Sequence, residues 1–347
     1  MATSFAYCRL DQVDELIAFI RDHWSSGHIL AKSRAFLDWQ HRDEAQDRYN
    51  FLLASDSKAG IVGVLGFIPS SRYDSTFTGR DETIWLTTWK ARPDFAHGIG
   101  LMLLRGLMSR TAPACIGAVG LNPATRAIYQ ALGFRTGKLA RHFLLNPAVS
   151  DWKLAEIPSG FRAAAVKTSA IRRFTRVTEG ELGGIVTGLD FGADAAPRRS
   201  PTYIINRYLR HPYYKYEVHF AAGANRKAAL LVTRLCHHDG ASALRVVDAI
   251  AAPGILADCG EAFNDLLAST GSEYLDFYSS SHGDALRSAG VENIAEHPGL
   301  VLPCYFEPFE RSNIELNYSL LGVDGEVAIF KGDADQDRPS RLEETAS

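Results

Sequence analysis

The sequence has no run of eighteen uncharged apolar residues, no basic leader ahead of an apolar stretch, no C-x-x-C pair and no block of lysine or arginine. Each absence removes a class of protein. Without the long run there is no membrane-spanning helix to expect. The opening "MATSFAYCRLDQVDELIAF" has no exporting leader, so the expectation is a soluble, cytoplasmic chain with no membrane partner. Five scattered cysteines, Cys8, Cys115, Cys236, Cys259 and Cys304, are odd in number and read as reduced, mostly buried thiols. With 37 basic and 40 acidic side chains and no basic tail, the footprint of a nucleic-acid binder is missing. What remains is a globular chain of 347 residues, long enough for two domains.

Short β-branched runs alternate with amphipathic segments. "QVDELIAFIRDHW" places Val13, Leu16, Ile17 and Ile20 at helical spacing. "NFLLAS", "AGIVGVLGFI", "ETIWLTTW" and "CIGAVGL" read as strands. "AHGIGLMLLRGLMSR" and "PATRAIYQALGF" read as helices, the second closed by Gly133. Helices between strands imply an α/β fold with a mixed, partly parallel sheet.

The pattern then repeats. At an offset of 167, "RLDQ" meets "RVTE", "FLDWQH" meets "YIINRY", and "AGIVGVLGFI" meets "RKAALLVTRL". With shorter loops Pro93 falls on Pro253 and Gly133 on Gly290. This predicts two tandem domains of one architecture. The first spans 1–148, a linker 149–165, the second 166–332, and a polar tail 333–347. In that tail Asp333, Asp335 and Asp337 lack the closing Glu of a calcium loop and read as a solvated turn, with Arg338 a local partner for Asp337. No metal site is expected.

The stretch "PDFAHGIGLMLLRGLM" puts Gly98 and Gly100 at the start of a helix, directly after a strand. A helix N-terminus leaves backbone N–H groups unpaired, and glycines let them approach an anion without a Cβ in the way. Alone the pair is weak. Twenty-two residues beyond Gly100 comes "NPATRAIYQALGF". Together the two segments resemble the Gcn5-related N-acetyltransferase (GNAT) superfamily, whose second motif reads N-x-x-A-x-x-x-Y-x-x-x-G-F. Asn122, Tyr129, Gly133 and Phe134 match it. One departure stands out: where the family carries Gln or Arg, three residues before the first glycine, this chain has Phe95.

The resemblance implies two acyl-CoA N-acyltransferase domains and acetyl-CoA as co-substrate. Its contacts would be the backbone of Trp89 and of His97, Gly98, Ile99, Gly100 and Leu101, with Asn122 and Tyr129 from the second motif. Tyr129 would be the acid that protonates the departing thiolate. The family's usual strand glutamate is absent from "IWLTTWK", leaving Glu82 at the strand's edge and His28 upstream as candidate bases, with His41 on the acceptor side. A lone histidine is more often structural than catalytic.

In the second copy Gly98 becomes Asp258, Ile99 becomes Cys259 and Tyr129 becomes Leu286, so that copy is expected to be degenerate and unable to bind acetyl-CoA. It would form a wall of the acceptor pocket or a homodimer surface. Within "NRYLRHPYYKYEVHF", Arg207 and His211 could hold an anionic, ring-containing acceptor, or simply belong to a solvated helix-to-strand junction. The layout also resembles acetyltransferases associated with surface-polysaccharide biosynthesis, implying an amino sugar, free or nucleotide-linked, as the amine acceptor. Two alternatives stay open: a tandem aminoacyltransferase, for which no basic helical arm is found, and a non-catalytic CoA-binding regulatory module.

Overall fold

The computed structural model describes residues 3–164, 167–192, 196–323, 325 and 327–340, apart from the side chains of Ala96 and His97. The chain forms two compact units. Unit 1 comprises 1–136, 319–323 and 338–347; unit 2 comprises 137–318 and 324–337.

The first part of the chain supplies β1 (Ser4–Arg9), α1 (Val13–His23), α2 (Ile29–Lys32), α3 (Arg34–His41), β2 (Arg42–Asp43), β3 (Arg48–Asp56), β4 (Gly60–Pro69) and β5 (Thr83–Ala91). It continues with α4 (Ala96–Thr111), β6 (Cys115–Val119), α5 (Arg126–Ala131) and β7 (Arg135–Lys138). Then follow β8 (Ala140–Leu145), β9 (Thr175–Val177), α6 (Glu179–Ile185), α7 (Pro201–Ile204), β10 (Glu217–Ala222), β11 (Ala228–His238) and β12 (Ala241–Ala251). The chain ends with α8 (Gly260–Thr270), β13 (Tyr274–Ser279), α9 (Gly283–Ser288), β14 (Glu292–Asn293), the hairpin β15 (Tyr305–Phe306) and β16 (Phe309–Glu310), and β17 (Asn317–Leu321).

From β3 to β7 unit 1 runs β-β-β-α-β-α-β, the order that unit 2 follows from β10 to β14, and Gly133 and Gly290 both close their helices at φ +85°. The sheets are mixed. In unit 1 the order is β1-β3-β4-β5-β6-β17-β7, with β2 beside β3; in unit 2 it is β14-β8-β13-β12-β11-β10-β9. A late strand, β17, therefore completes the first sheet, and the early strand β8 completes the second. A cut at 148 would take β8 from the sheet it belongs to, because the chain's pairing partners are not its sequence neighbours.

β4 reads as a continuous apolar run because both its faces are covered. On one face Leu52, Leu65, Phe67, Ile84 and Leu86 pack against Leu103, Leu104 and Leu107 of α4 and Tyr129 of α5. On the other, Phe51, Leu53 and Val64 pack against Leu16, Ile20, Leu30 and Phe36 of α1–α3. Ser33 caps α3 by accepting the Phe36 N–H at 3.1 Å. All five cysteines are buried, and none forms a disulfide among the described residues.

The polar tail is corrected by the structure: Asp333, Asp335 and Asp337 are buried, and Asp337 is forked to Arg234 rather than turned to a local partner. A carboxylate held by two charge-assisted bonds no longer needs water.

Gly117 shows how closely β17 is packed. A Cβ there would lie 2.8 Å from Leu320 Cδ1, 2.9 Å from Ser319 O and 2.9 Å from Trp85 Cζ3. Gly117→Ala is therefore expected to lower stability by roughly 1–3 kcal/mol in urea denaturation. An unchanged midpoint would mean that β17 does not lie beside β6.

Candidate functional site

β5 changes neighbours halfway along. It pairs in parallel with β6 only from Thr83 to Leu86, then runs on to Ala91 bonded to β4 alone. The Arg92 N–H donates to Val62 O at 2.9 Å, which fixes the alternation: Lys90 and Arg92 turn their main-chain groups to β4, while Trp89 and Ala91 turn theirs to the open edge. At the point of divergence Leu65 opposes Trp89 and Phe67 opposes Leu86, so Gly66 faces two residues, Thr87 and Thr88, in a β-bulge. Any side chain at Gly66 would collide with Thr87 Oγ1, 2.6 Å away, and with the Phe51 ring. The hydroxyls of Thr87 and Thr88 are buried and have no hydrogen-bond partner. Such orphaned groups are costly in a finished core, and they leave two hydroxyls at the bulge able to bond a polar partner. Sequence reading passed over both threonines, since a bulge depends on the partner strand.

The start of α4 lies beside this edge. Gly98 has φ +81°, a conformation natural to glycine, with open space where a Cβ would stand. α4 begins at Ala96, so the unpaired N–H groups of its first turn are those of Ala96, His97 and Gly98, while Ile99, Gly100 and Leu101, also expected to meet the anion, already lie inside the helix. A Cβ on Gly100 would lie 3.1 Å from Trp89 Nε1, so the glycine lets the helix approach the indole. The Trp89 ring in turn meets Tyr129 edge-on at 5.7 Å, and Tyr129 meets Phe134 at 5.1 Å. The glycine loop and the second motif therefore converge on one indole. The side chain of His97 lies outside the described residues. Phe95 packs into the α4-side core, and the Arg92 guanidinium stands 5.0 Å over its ring, paired with Asp94 at 2.6 Å. A cation thus stands near the helix start, carried by a residue that sequence reading had passed over.

Tyr129 is buried, and burial pushes its phenol above the usual range. Asn122 is exposed, and its side-chain oxygen accepts the Ala124 N–H at 2.9 Å, starting the turn into α5.

The candidate bases are placed elsewhere. His28 caps α2: its Nδ1 accepts the Leu30 N–H at 3.3 Å, and burial lowers its pKa to about 3. A ring so engaged carries its proton on Nε2 and has no free lone pair. His41 is fully buried, 3.1 Å from Phe67 O and 3.2 Å from the Gln40 amide, and burial holds it at about 3 as well. Glu82 accepts a hydrogen bond from Ser71 and precedes the bulge by five residues, about 16 Å of extended chain.

In unit 2 the equivalent features are filled by protein. At Gly260, the counterpart of Gly100, a Cβ would lie 2.6 Å from Ala289 O and 3.0 Å from Lys167 O, and Ser169 Oγ already accepts the Glu261 N–H at 3.0 Å. β12 pairs with β13 only over Ala243–Val246. Beyond it, Val247 O accepts the Gly332 N–H at 2.7 Å and Ile329 O accepts the Ser280 N–H at 2.9 Å. Ala328 to Ala334 occupy that gap, buried wherever a side chain is present. Leu286, in place of Tyr129, is core. Arg207, expected to face an acceptor, instead donates to the carbonyls of Gly332 and Ala334, and His211 Nδ1 accepts the N–H groups of Tyr213 and Tyr214. The "RYLRHPYY" stretch holds the filling segment in place.

Among the described residues no group of three or more His, Cys, Asp or Glu is arranged to hold a metal, and no helix is long and apolar enough to cross a membrane.

Five histidines are kept neutral by burial: His28, His41 and His211 at about 3, His142 and His219 at about 4. Between about pH 6.5 and 4 the unfolded chain binds protons that the folded chain does not, so stability falls with pH across that window. Urea midpoints at pH 7.5, 6 and 5 are expected to drop below pH 6.5; a flat or rising series would contradict the burial.

No family model matches the sequence, and no curated protein matches it. Solved structures do. A GCN5-related N-acetyltransferase from Anabaena variabilis superposes with TM-score 0.53 at 11% identity, covering 92% of this chain and 72% of its own. A probable N-acyltransferase from Enterococcus faecalis gives 0.52 at 8% identity, covering 84% and 70%. A GCN5-related N-acetyltransferase from Kribbella flavida gives 0.51 at 14%, covering 92% and 70%. The chain has the mixed α/β fold of the GCN5-related N-acetyltransferases.

Proposed function

We propose that unit 1 binds an acyl-CoA, acetyl-CoA by preference, and passes the acyl group to the primary amine of a small molecule. The observation that carries this reading is the open edge of β5, at Trp89 and Ala91, beside the start of α4. The main-chain groups of Trp89 and Ala91 suit the amides of an extended pantetheine arm, as a missing strand would. The first-turn N–H groups of α4, Ala96 to Gly98, with Arg92 near them, suit a pyrophosphate. When bound, the thioester supplies an activated carbonyl and a thiolate leaving group. Thr88 Oγ1 is a donor at the bulge for charge developing on that carbonyl. Tyr129 keeps its proton at neutral pH and can donate it to sulfur. An amino sugar, free or nucleotide-linked, is the acceptor class that fits the resemblance.

None of the candidate bases is placed to take the amine's proton directly. His28 and His41 are engaged and very weakly basic, and Glu82, bonded by Ser71, stands five residues of extended strand from the bulge. The amine therefore reacts as the free base. The same geometry favours a second reading, a module that holds CoA without turnover. Thiol release from acetyl-CoA, measured across simple amines and amino-sugar nucleotides, separates the two; binding with no release from any amine supports the second.

For an accepted amine, kcat/KM is expected to climb with pH toward the amine's own pKa, with no inflection near 6.5. An acid limb at pH 6–7 would place a histidine in the reaction. Tyr129→Phe is expected to lower kcat about 10²-fold with little change in KM; full activity would remove Tyr129 as the acid.

A further inference from the structure

The face of the second sheet away from α8 and α9 carries a row of buried charge. Arg234 on β11 stands opposite Arg245 on β12, Arg245 stands opposite Asp276 on β13, and Arg141 on β8 stands opposite Tyr278. Two guanidiniums side by side on adjacent strands repel. Asp276 bridges Arg245, at 3.0 and 3.1 Å, and Arg141, at 2.7 Å. Asp337 takes both prongs of Arg234, at 2.9 and 2.8 Å, and a bond from Tyr216 at 2.8 Å.

A fourth cation has no such partner. Lys331 is 1% exposed and lies 5.9 and 5.5 Å from the ring centres of Tyr278 and Tyr305. Its ammonium makes a single long hydrogen bond, to Gln336 O at 3.4 Å. Arg141 Nε is also buried without a partner. Four cations thus face two carboxylates. Buried among the same charges are Tyr216, Tyr274 and Tyr278, whose phenols burial pushes up, the Cys236 thiol, likewise raised by burial, and Cys304; burial raises the Cys304 pKa, but Lys331, Arg245 and Arg141 together outweigh that and hold the thiol below its ordinary value. Glu307, hydrogen-bonded by Tyr214 at 3.0 Å, stands at the half-buried rim.

Unit 1 provides an internal control. The parallel pair Arg245 and Asp276 occupies the register that Trp85 and Gly117 occupy in unit 1. The same architecture is built there without charge, and a buried ion pair is no more stabilising than the apolar contact it replaces. Surplus buried positive charge with unfilled N–H donors calls for an anion.

We propose that this face of unit 2 binds a small doubly charged oxyanion, a phosphate either free or carried by a small metabolite, with Lys331 as its main ligand. The half-buried rings of Tyr214 and Tyr305 lie against Arg234 and Lys331 respectively. This site is separate from the acyl-transfer reading, which concerns unit 1.

Titration of the full chain with inorganic phosphate and with glycerol 3-phosphate, by calorimetry and by thermal melting at constant ionic strength, tests it. The wild type is expected to bind saturably and melt higher; tighter binding of glycerol 3-phosphate assigns the organic source, and tighter binding of phosphate the free ion. Lys331→Met should weaken binding at least tenfold, while melting no lower than wild type in phosphate-free buffer. Absence of saturable binding to the wild type, or unchanged affinity in Lys331→Met, would overturn the proposal. If Lys331→Met does not fold, Lys331→Gln takes its place, and the wild-type titration still decides whether an anion binds.

Discussion

After Leu86, β5 loses β6 as a neighbour and keeps only β4, and the functional geometry of unit 1 follows from that break. A strand in mid-sheet has both rows of main-chain groups satisfied; one that diverges from its neighbour has a row to offer. The bulge at Thr87 and Thr88 sets where the divergence begins, and Gly66 is the residue that leaves room for it. Trp89 then joins the edge to both glycine-containing segments, through Gly100 on one side and Tyr129 on the other. Remove the break and these residues would be an ordinary β-α-β core.

Unit 2 shows what becomes of the same break without a ligand to fill it. There the chain itself enters, with Gly332 and Ile329 hydrogen-bonded where an extended arm would run, and Arg207 and Tyr208 holding the segment. The start of α8 is closed by the carbonyls of Lys167 and Ala289. Degeneracy in this unit is therefore a matter of space as well as charge. Asp258 would repel an anion, but main chain already fills the helix start.

Much of this was legible in the sequence where the signal is local. Helical spacing in "QVDELIAFIRDHW", the apolar strands and the closing Gly133 all correspond to elements of the structure. The second motif pointed to the fold that the solved structures share. What escaped depends on partners far away in the chain. "FKGDADQDRP" looks like a solvated turn because its aspartates are polar; Asp333 and Asp337 are buried because Arg199 and Arg234, more than a hundred residues earlier, meet them. The strand exchange between β8 and β17 leaves no local trace, since either strand would read the same in either sheet. Histidine roles escaped for a related reason: "SSGHILA" looks exposed, yet a ring nitrogen of His28 serves as a helix cap.

The central claim is that one unit of the two accepts an acyl-CoA and the other is closed by its own chain. Calorimetric titration of the intact protein with acetyl-CoA measures this directly. One molecule bound per chain is the predicted stoichiometry; two per chain, or none, would contradict it.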